Sequence, residues 1–144
     1  MNFIQKTTLA AFTAVTLLSA PIFSSYAGDH HKHHMHDQAK AIETDFTATI
    51  FEDAQAADKH IVIDVWKKGC PTCKAQHPTL QEARVKYPNA IFLKVNFETQ
   101  KDVVKSFDVV KQSTIIVFNG TEETGRVLGE TNQEKLLSLI ATGV

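Results

Sequence analysis

The stretch His60-Ile61-Val62-Ile63-Asp64-Val65-Trp66-Lys67-Lys68-Gly69-Cys70-Pro71-Thr72-Cys73-Lys74 decides the reading of this chain. It opens on a β-branched apolar run, the pattern of a strand buried on both faces. Gly69 breaks the run. A helix is expected from Pro71 to about Lys86, with Pro71 in the first turn, where its missing N–H costs nothing. Cys70 and Cys73 therefore stand where a strand hands over to a helix. At a helix N-terminus the unpaired backbone N–H groups and the macrodipole favour a thiolate. Cys70 is thus expected to have a lowered pKa and to act as a nucleophile. Cys73 lies one turn deeper, from where it can attack a mixed disulfide on Cys70 and release the reduced partner. Lys67, Lys68 and Lys74 add positive charge. Two other readings of the pair exist. A structural disulfide closing so short a loop would stabilise the fold weakly. A metal site would use the C-x2-C-x3-H spacing of Cys70, Cys73 and His77, which offers three local ligands at most.

Outward from this stretch, strand and helix signals alternate. Ile50 to Ala57 reads as a short helix. Pro78 falls inside the Pro71–Lys86 helix and should kink it. Ala90 to Asn96 is a second apolar strand, Asp102 to Phe107 a short helix, and Thr114 to Phe118 a third strand. Asn119-Gly120 is a turn signal, after which Gly125 to Gly129 can return as an edge strand. Thr131 to Glu134 reads as a capping box opening a last helix, whose apolar stripe is Leu136, Leu137 and Ile140. The order is βαβαβ followed by ββα. It implies parallel strands with helical crossovers, then an antiparallel hairpin with a covering helix.

The chain has 144 residues, 43% hydrophobic and 22% charged, which suits one globular domain with some excess. Fifteen basic and sixteen acidic residues give a formal net charge of -1, which argues against a nucleic-acid partner. Two cysteines exclude a disulfide-dense scaffold and a four-cysteine zinc site within one chain. At the N-terminus Lys6 precedes an apolar run from Leu9 to Phe23, and Ser25-Tyr26-Ala27 has small residues at the -3 and -1 positions. This reads as a secretory signal peptide cut near Ala27, with the periplasm or the exterior as destination. The run is short and interrupted for a membrane anchor, and no later segment is apolar enough to span a bilayer. Residues 28–44 then form a flexible His-rich tail holding His30, His31, His33, His34 and His36 with Met35. Imidazoles and a thioether capture copper or zinc, incidentally or functionally, but nothing in this tail fixes a geometry. Residues 45–144 form the folded domain.

From about Asp45 to Val144 the chain resembles the thioredoxin superfamily. The resemblance rests on Trp66 through Lys74 around the Cys-Pro-Thr-Cys pair, on Pro78 five residues after Cys73, on Asn119-Gly120 and on Gly129. It implies an α/β thioredoxin fold, a mixed sheet made of a parallel βαβ unit and an antiparallel ββα unit, flanked by helices. It implies Cys70 and Cys73 as the catalytic pair. Asp64 would be the buried acid that exchanges a proton with the second thiol, and Lys94 the lysine paired with that acid. A lone acid amid Ile61, Val62, Ile63 and Val65 is expected to be buried, with a raised pKa. Trp66, Pro71, Thr72, Ser113 and Thr114 would form the substrate-binding surface. One departure stands out. Ser113 takes the place of the family's cis-proline facing the cysteines, and a cis bond before serine costs about 2.5–4 kcal/mol. Its hydroxyl can also hydrogen-bond the Cys70 thiolate.

These readings point to a secreted or periplasmic thiol-disulfide oxidoreductase that needs no cofactor. It would exchange disulfides with protein thiols and draw on an unidentified, membrane-linked redox partner. The alternative is a copper- or zinc-handling module using the histidine tail and the cysteines, or a reductase serving a copper-site protein.

Overall fold

The computed structural model describes residues 40–144. In chain order the elements are β1 (Glu43–Asp45), α1 (Ala48–Ala56), β2 (His60–Trp66), α2 (Pro71–Lys86), β3 (Ile91–Asn96), α3 (Lys101–Ser106), β4 (Thr114–Asn119), β5 (Glu122–Leu128) and α4 (Gln133–Ile140), with a closing 3-10 turn at Ala141–Gly143. The five strands form one sheet in the order β1-β3-β2-β4-β5. β1, β3 and β2 run parallel, and β4 and β5 run antiparallel to their neighbours.

Alternation along β2 explains the layering. Ile61, Ile63 and Val65 face one side with Leu93, Val95 and Ile116, where they meet Ala54 of α1 and Val104 of α3. Val62, Phe92, Ile115 and Val117 face the other side, under Leu80 and Ala83 of α2 and Leu136 and Ile140 of α4. Both faces of β2 are therefore buried, as its unbroken apolar run requires. Asp64 follows Val62 at the strand's period of two. It consequently points to the side covered by α2.

The third apolar strand does not continue the parallel series implied by βαβαβ. It runs antiparallel to β2, with Thr114 opposite Val65 and Asn119 opposite His60. β4 starts at the end where β2 and β3 finish, and Ser113, the residue before it, gives its N–H to Val65 O at 2.7 Å. As a result Trp66, Cys70, Ser113 and Gly129 all gather at one end of the sheet.

Three further details differ from the sequence reading. β1 lies ahead of the Asp45 boundary at Glu43 and Thr44, and it is anchored by Ala41, whose N–H donates to Arg84 O at 2.8 Å. Its polar residues carry no strand signal, so its pairing comes from β3. β5 begins at Glu122 rather than Gly125. The cap of α4 is Asn132, not Thr131: its side chain accepts from Lys135 N at 3.0 Å, while the Glu130 carboxylate accepts from the Thr131 and Asn132 N–H groups.

Candidate active site

Cys70 is the N-cap residue of α2, with φ -85° and ψ 111°. Its Sγ accepts the Cys73 N–H at 3.1 Å. A helical N–H without an intrahelical partner therefore points at this sulfur, an arrangement that favours a thiolate there. Cys70 and Cys73 are joined by a disulfide. Cys70 is 7% exposed and Cys73, half-buried, is the more exposed residue, so the ranking of Cys70 as nucleophile rests on the helix terminus and not on exposure. Pro71 occupies the first helical position as expected, and no acidic residue sits in the first turn to offset the positive end of the dipole. Pro78 lies inside α2, which runs to Lys86.

Ser113 faces the pair. It is 3% exposed, and its Oγ lies 3.1 Å from Cys70 Sγ and 3.2 Å from Cys73 Sγ. Neither sulfur of a disulfide carries hydrogen, so the hydroxyl is the donor, its single hydrogen shared between the two sulfurs. Its peptide bond is trans, and the residue adopts φ +64°, a left-handed conformation that non-glycine residues rarely hold. The surroundings fix it there. Ser113 N–H donates to Val65 O at 2.7 Å, and Ser113 O accepts from Gly129 N at 2.8 Å and from Gln76 Nε2 at 3.3 Å. Gly129, at φ +71°, thus secures the Ser113 loop. Thr114 is buried and gives its hydroxyl to Lys111 O at 2.7 Å, so it holds the loop rather than facing the groove.

Asp64 lies beneath the groove. Its Oδ1 is buried and has no hydrogen-bond partner. Burial raises its pKa from 3.8 to about 7, the nearby negative charge of Glu43 adds to the rise, and Lys94 opposes it. Lys94 stands opposite Asp64 in the β2–β3 register. Even so, among the described residues no ion pair joins the two. The Lys94 ammonium instead sits over the Trp66 ring, 4.5 Å from its centroid, a favourable cation–π distance. Trp66, two residues beyond Asp64 on the same strand face, competes for the amine. Lys94 therefore acts on Asp64 through its field rather than by contact.

An open groove of about 620 Å³ runs along this end of the sheet. Trp66 and Pro71 line it together with both cysteines, Asp64 and Lys94, whereas Thr72 does not. His77 lies on its rim and is exposed. Among the described residues no cluster of three or more His, Cys, Asp or Glu side chains could hold a metal ion. The expected signal peptide, residues 1–27, and the five tail histidines His30, His31, His33, His34 and His36 lie outside the described residues.

Gln76 was missed by the sequence reading. It is fully buried in α2 and donates Nε2 to Ser113 O at 3.3 Å and to Glu130 O at 2.9 Å. It thereby ties the active-site helix to both loops that flank the cysteines. Its position was detectable: Cys73, Gln76, Leu80 and Ala83 share one helix face, and a glutamine in such a stripe calls for buried partners, which its Nε2 finds while its Oε1 has none among the described residues.

The family model described as thioredoxin matches residues 30–142. The thioredoxin of Mycoplasma genitalium is 30% identical over 88 residues, which is 61% of this chain and 86% of that protein. Thioredoxin-1 of Saccharomyces cerevisiae is 31% identical over 83 residues, 58% of this chain and 81% of the relative. The crystal structure of Trxlp from Edwardsiella tarda EIB202 superposes with a TM-score of 0.65 at 32% identity, covering 69% of this chain and 98% of that one.

Proposed function

The chain belongs to the thioredoxin family and is a thiol-disulfide oxidoreductase, and from that premise we propose a secreted or periplasmic enzyme that exchanges disulfides with proteins through Cys70 and Cys73. The observation that carries the assignment of roles is the placement of Cys70 Sγ on the Cys73 N–H at the start of α2, with the half-buried Asp64 lining the same groove.

In the reducing direction the Cys70 thiolate attacks one sulfur of a protein disulfide. The partner's other sulfur leaves as a thiolate, and a mixed disulfide to Cys70 forms. Cys73 then loses its proton to the carboxylate of Asp64 and attacks Cys70 Sγ. The partner leaves as a dithiol, and the two electrons it gained are those lost when the Cys70–Cys73 bond formed. The oxidising direction is the reverse, with Cys73 as the leaving thiolate. An acid with a pKa of about 7 is half-ionised near neutrality, which suits it to give and take this proton. The Ser113 hydroxyl donates to whichever sulfur carries the charge, and Lys94 favours the ionised form of Asp64. Trp66 and Pro71 present the surface on which the partner chain lies. The two sulfurs carry the electrons, so the exchange requires no cofactor. Electrons enter or leave through a membrane-linked redox partner.

Three measurements test the proposal. Cys70→Ser should abolish disulfide exchange, and Cys73→Ser should accumulate mixed disulfides with partner proteins; exchange at the normal rate in Cys70→Ser refutes the assignment. The reduction potential fixes the direction of flow: about -270 mV marks a reductase and about -120 mV a disulfide donor. Expression of the full chain in a Gram-negative host should yield an extracytoplasmic form beginning at Gly28, and an intact leader on a cytosolic product overturns the location. The leader signals that support it are Lys6, the apolar run and Ala27.

A further inference from the structure

Resting on the exchange function above, we propose that the groove beside Cys70 selects protein segments whose cysteines are flanked by acidic residues. The whole chain is nearly neutral, with fifteen basic and sixteen acidic residues. The groove is not. Lys67, Lys68, Lys74 and Lys94 line it, with His77 at its rim, and the sole carboxylate among its lining residues is the half-buried Asp64. Two of the four lysines are already engaged. Lys67 lies 3.9 Å from Glu98 in a loose exposed pair, and Lys94 covers the Trp66 ring. Lys68 and Lys74 are exposed, and no ion pair holds either among the described residues.

These two free ammonium groups bracket the nucleophile, two residues before Cys70 and four after it. The first turn of α2 contributes further positive potential, because it contains no acidic residue. An occupant of this groove must bring a sulfur to Cys70, so it is a thiol or disulfide carrier rather than a nucleic acid. The surface that carrier meets is an aromatic and proline floor walled by cations. Carboxylates on either side of the partner's cysteine complement that wall. They speed encounter and fix which segment docks.

The test is single-turnover exchange between the reduced full-length protein and three peptide disulfides. The peptides share one sequence and differ in the residues beside the cysteines: aspartate, serine or lysine. Near 20 mM salt the aspartate peptide should react about tenfold faster than the serine peptide, and the lysine peptide more slowly than both. The gap should close as salt reaches about 0.5 M, where the screening length falls to a few ångströms. In the Lys68→Glu/Lys74→Glu double variant the order of the peptides should invert. The ratio of rates within one protein is the readout, so a change in Cys70 reactivity cancels. Equal rates for the three peptides, or a preference unchanged in the double variant, overturn the proposal and leave disulfide exchange standing. Reaction with none of them, serine peptide included, overturns the exchange function on which the proposal rests. Glutathione disulfide reacting faster than the aspartate peptide would assign the groove to a small anionic disulfide and overturn the proposal as well.

Discussion

Asp64→Asn should stabilise the oxidised protein, and the gain should appear only as pH rises. The carboxyl pKa is 3.8 in the ordinary case and about 7 in the fold. Burial is the main cause, and Oδ1 has no hydrogen-bond partner to compensate the charge. A raised folded pKa means that the native state holds a proton the unfolded chain has already lost. Between about pH 4 and pH 7 the unfolded state therefore binds fewer protons, and stability falls as pH rises. The loss is complete above the folded pKa. At about 1.4 kcal/mol for each tenfold in the equilibrium constant, the interval from 3.8 to about 7 corresponds to a cost of about 4 kcal/mol at pH 8. An asparagine of nearly the same shape carries no such cost. Urea titrations of both proteins, disulfide intact, at pH 4, 6 and 8 would measure it. The two curves should nearly coincide at pH 4 and diverge by up to about 4 kcal/mol at pH 8, with the variant the more stable. The same variant should resolve mixed disulfides more slowly, because Cys73 has lost its proton acceptor. A stability difference that does not grow with pH refutes the burial argument and with it the proton role of Asp64.

Ser113→Ala removes a donor that lies 3.1 and 3.2 Å from the two sulfurs. It should raise the Cys70 pKa by about 1 and make the couple more reducing by about 30 mV, since the reduced, ionised form loses about 1.4 kcal/mol. Absorbance of the thiolate against pH reads the first effect and glutathione equilibration the second; no change in either discards the hydroxyl's role. Gln76→Leu keeps the volume but strips the buried Ser113 and Glu130 carbonyls of a donor, and should cost about 1–2 kcal/mol in urea unfolding. It should also shift the Cys70 titration, which a purely structural role would leave in place. Asn132→Ala removes the α4 cap and should cost about 1 kcal/mol without moving that titration, so a shifted pKa there would contradict the separation of cap and site.

The fold was legible where the period of the apolar residues was strong. β2, α2, β3 and β4 are elements whose own residues declare them, by β-branched runs or by a helix opened with proline. β1 was not legible, because Glu43-Thr44-Asp45 has no apolar alternation and becomes a strand by pairing with Phe92, Leu93 and Lys94. The direction of β4 was hidden for a different reason. An apolar β-branched run reads the same whether its neighbour is parallel or antiparallel, and the direction appears only in its pairing with β2. The placement of Cys70 at a helix start was legible from Gly69 and Pro71 on either side of it. The link between Asp64 and Lys94 followed in register but not in contact, since sequence does not reveal that Trp66 takes the ammonium.

Ser113 shows why one substitution at such a site must be judged with its neighbours. A proline holds φ near -65° and has no N–H. Ser113 stands at +64° and gives its N–H to Val65. Proline could adopt neither feature, so the loop of this chain is a different solution and not a proline loop with a side chain exchanged. A left-handed serine costs on the order of 1–3 kcal/mol. It persists because every polar group of the residue is used: the N–H by Val65, the carbonyl by Gly129 and Gln76, and the hydroxyl by the two sulfurs. Gln76 therefore belongs to the same device as Ser113, although 37 residues separate them. The serine places a donor on the sulfurs, and the glutamine holds the backbone that carries it. Each would be hard to explain in isolation, a polar residue in an apolar helix stripe and a serine in a strained turn. Together they form one support for the charge that moves between Cys70 and Cys73.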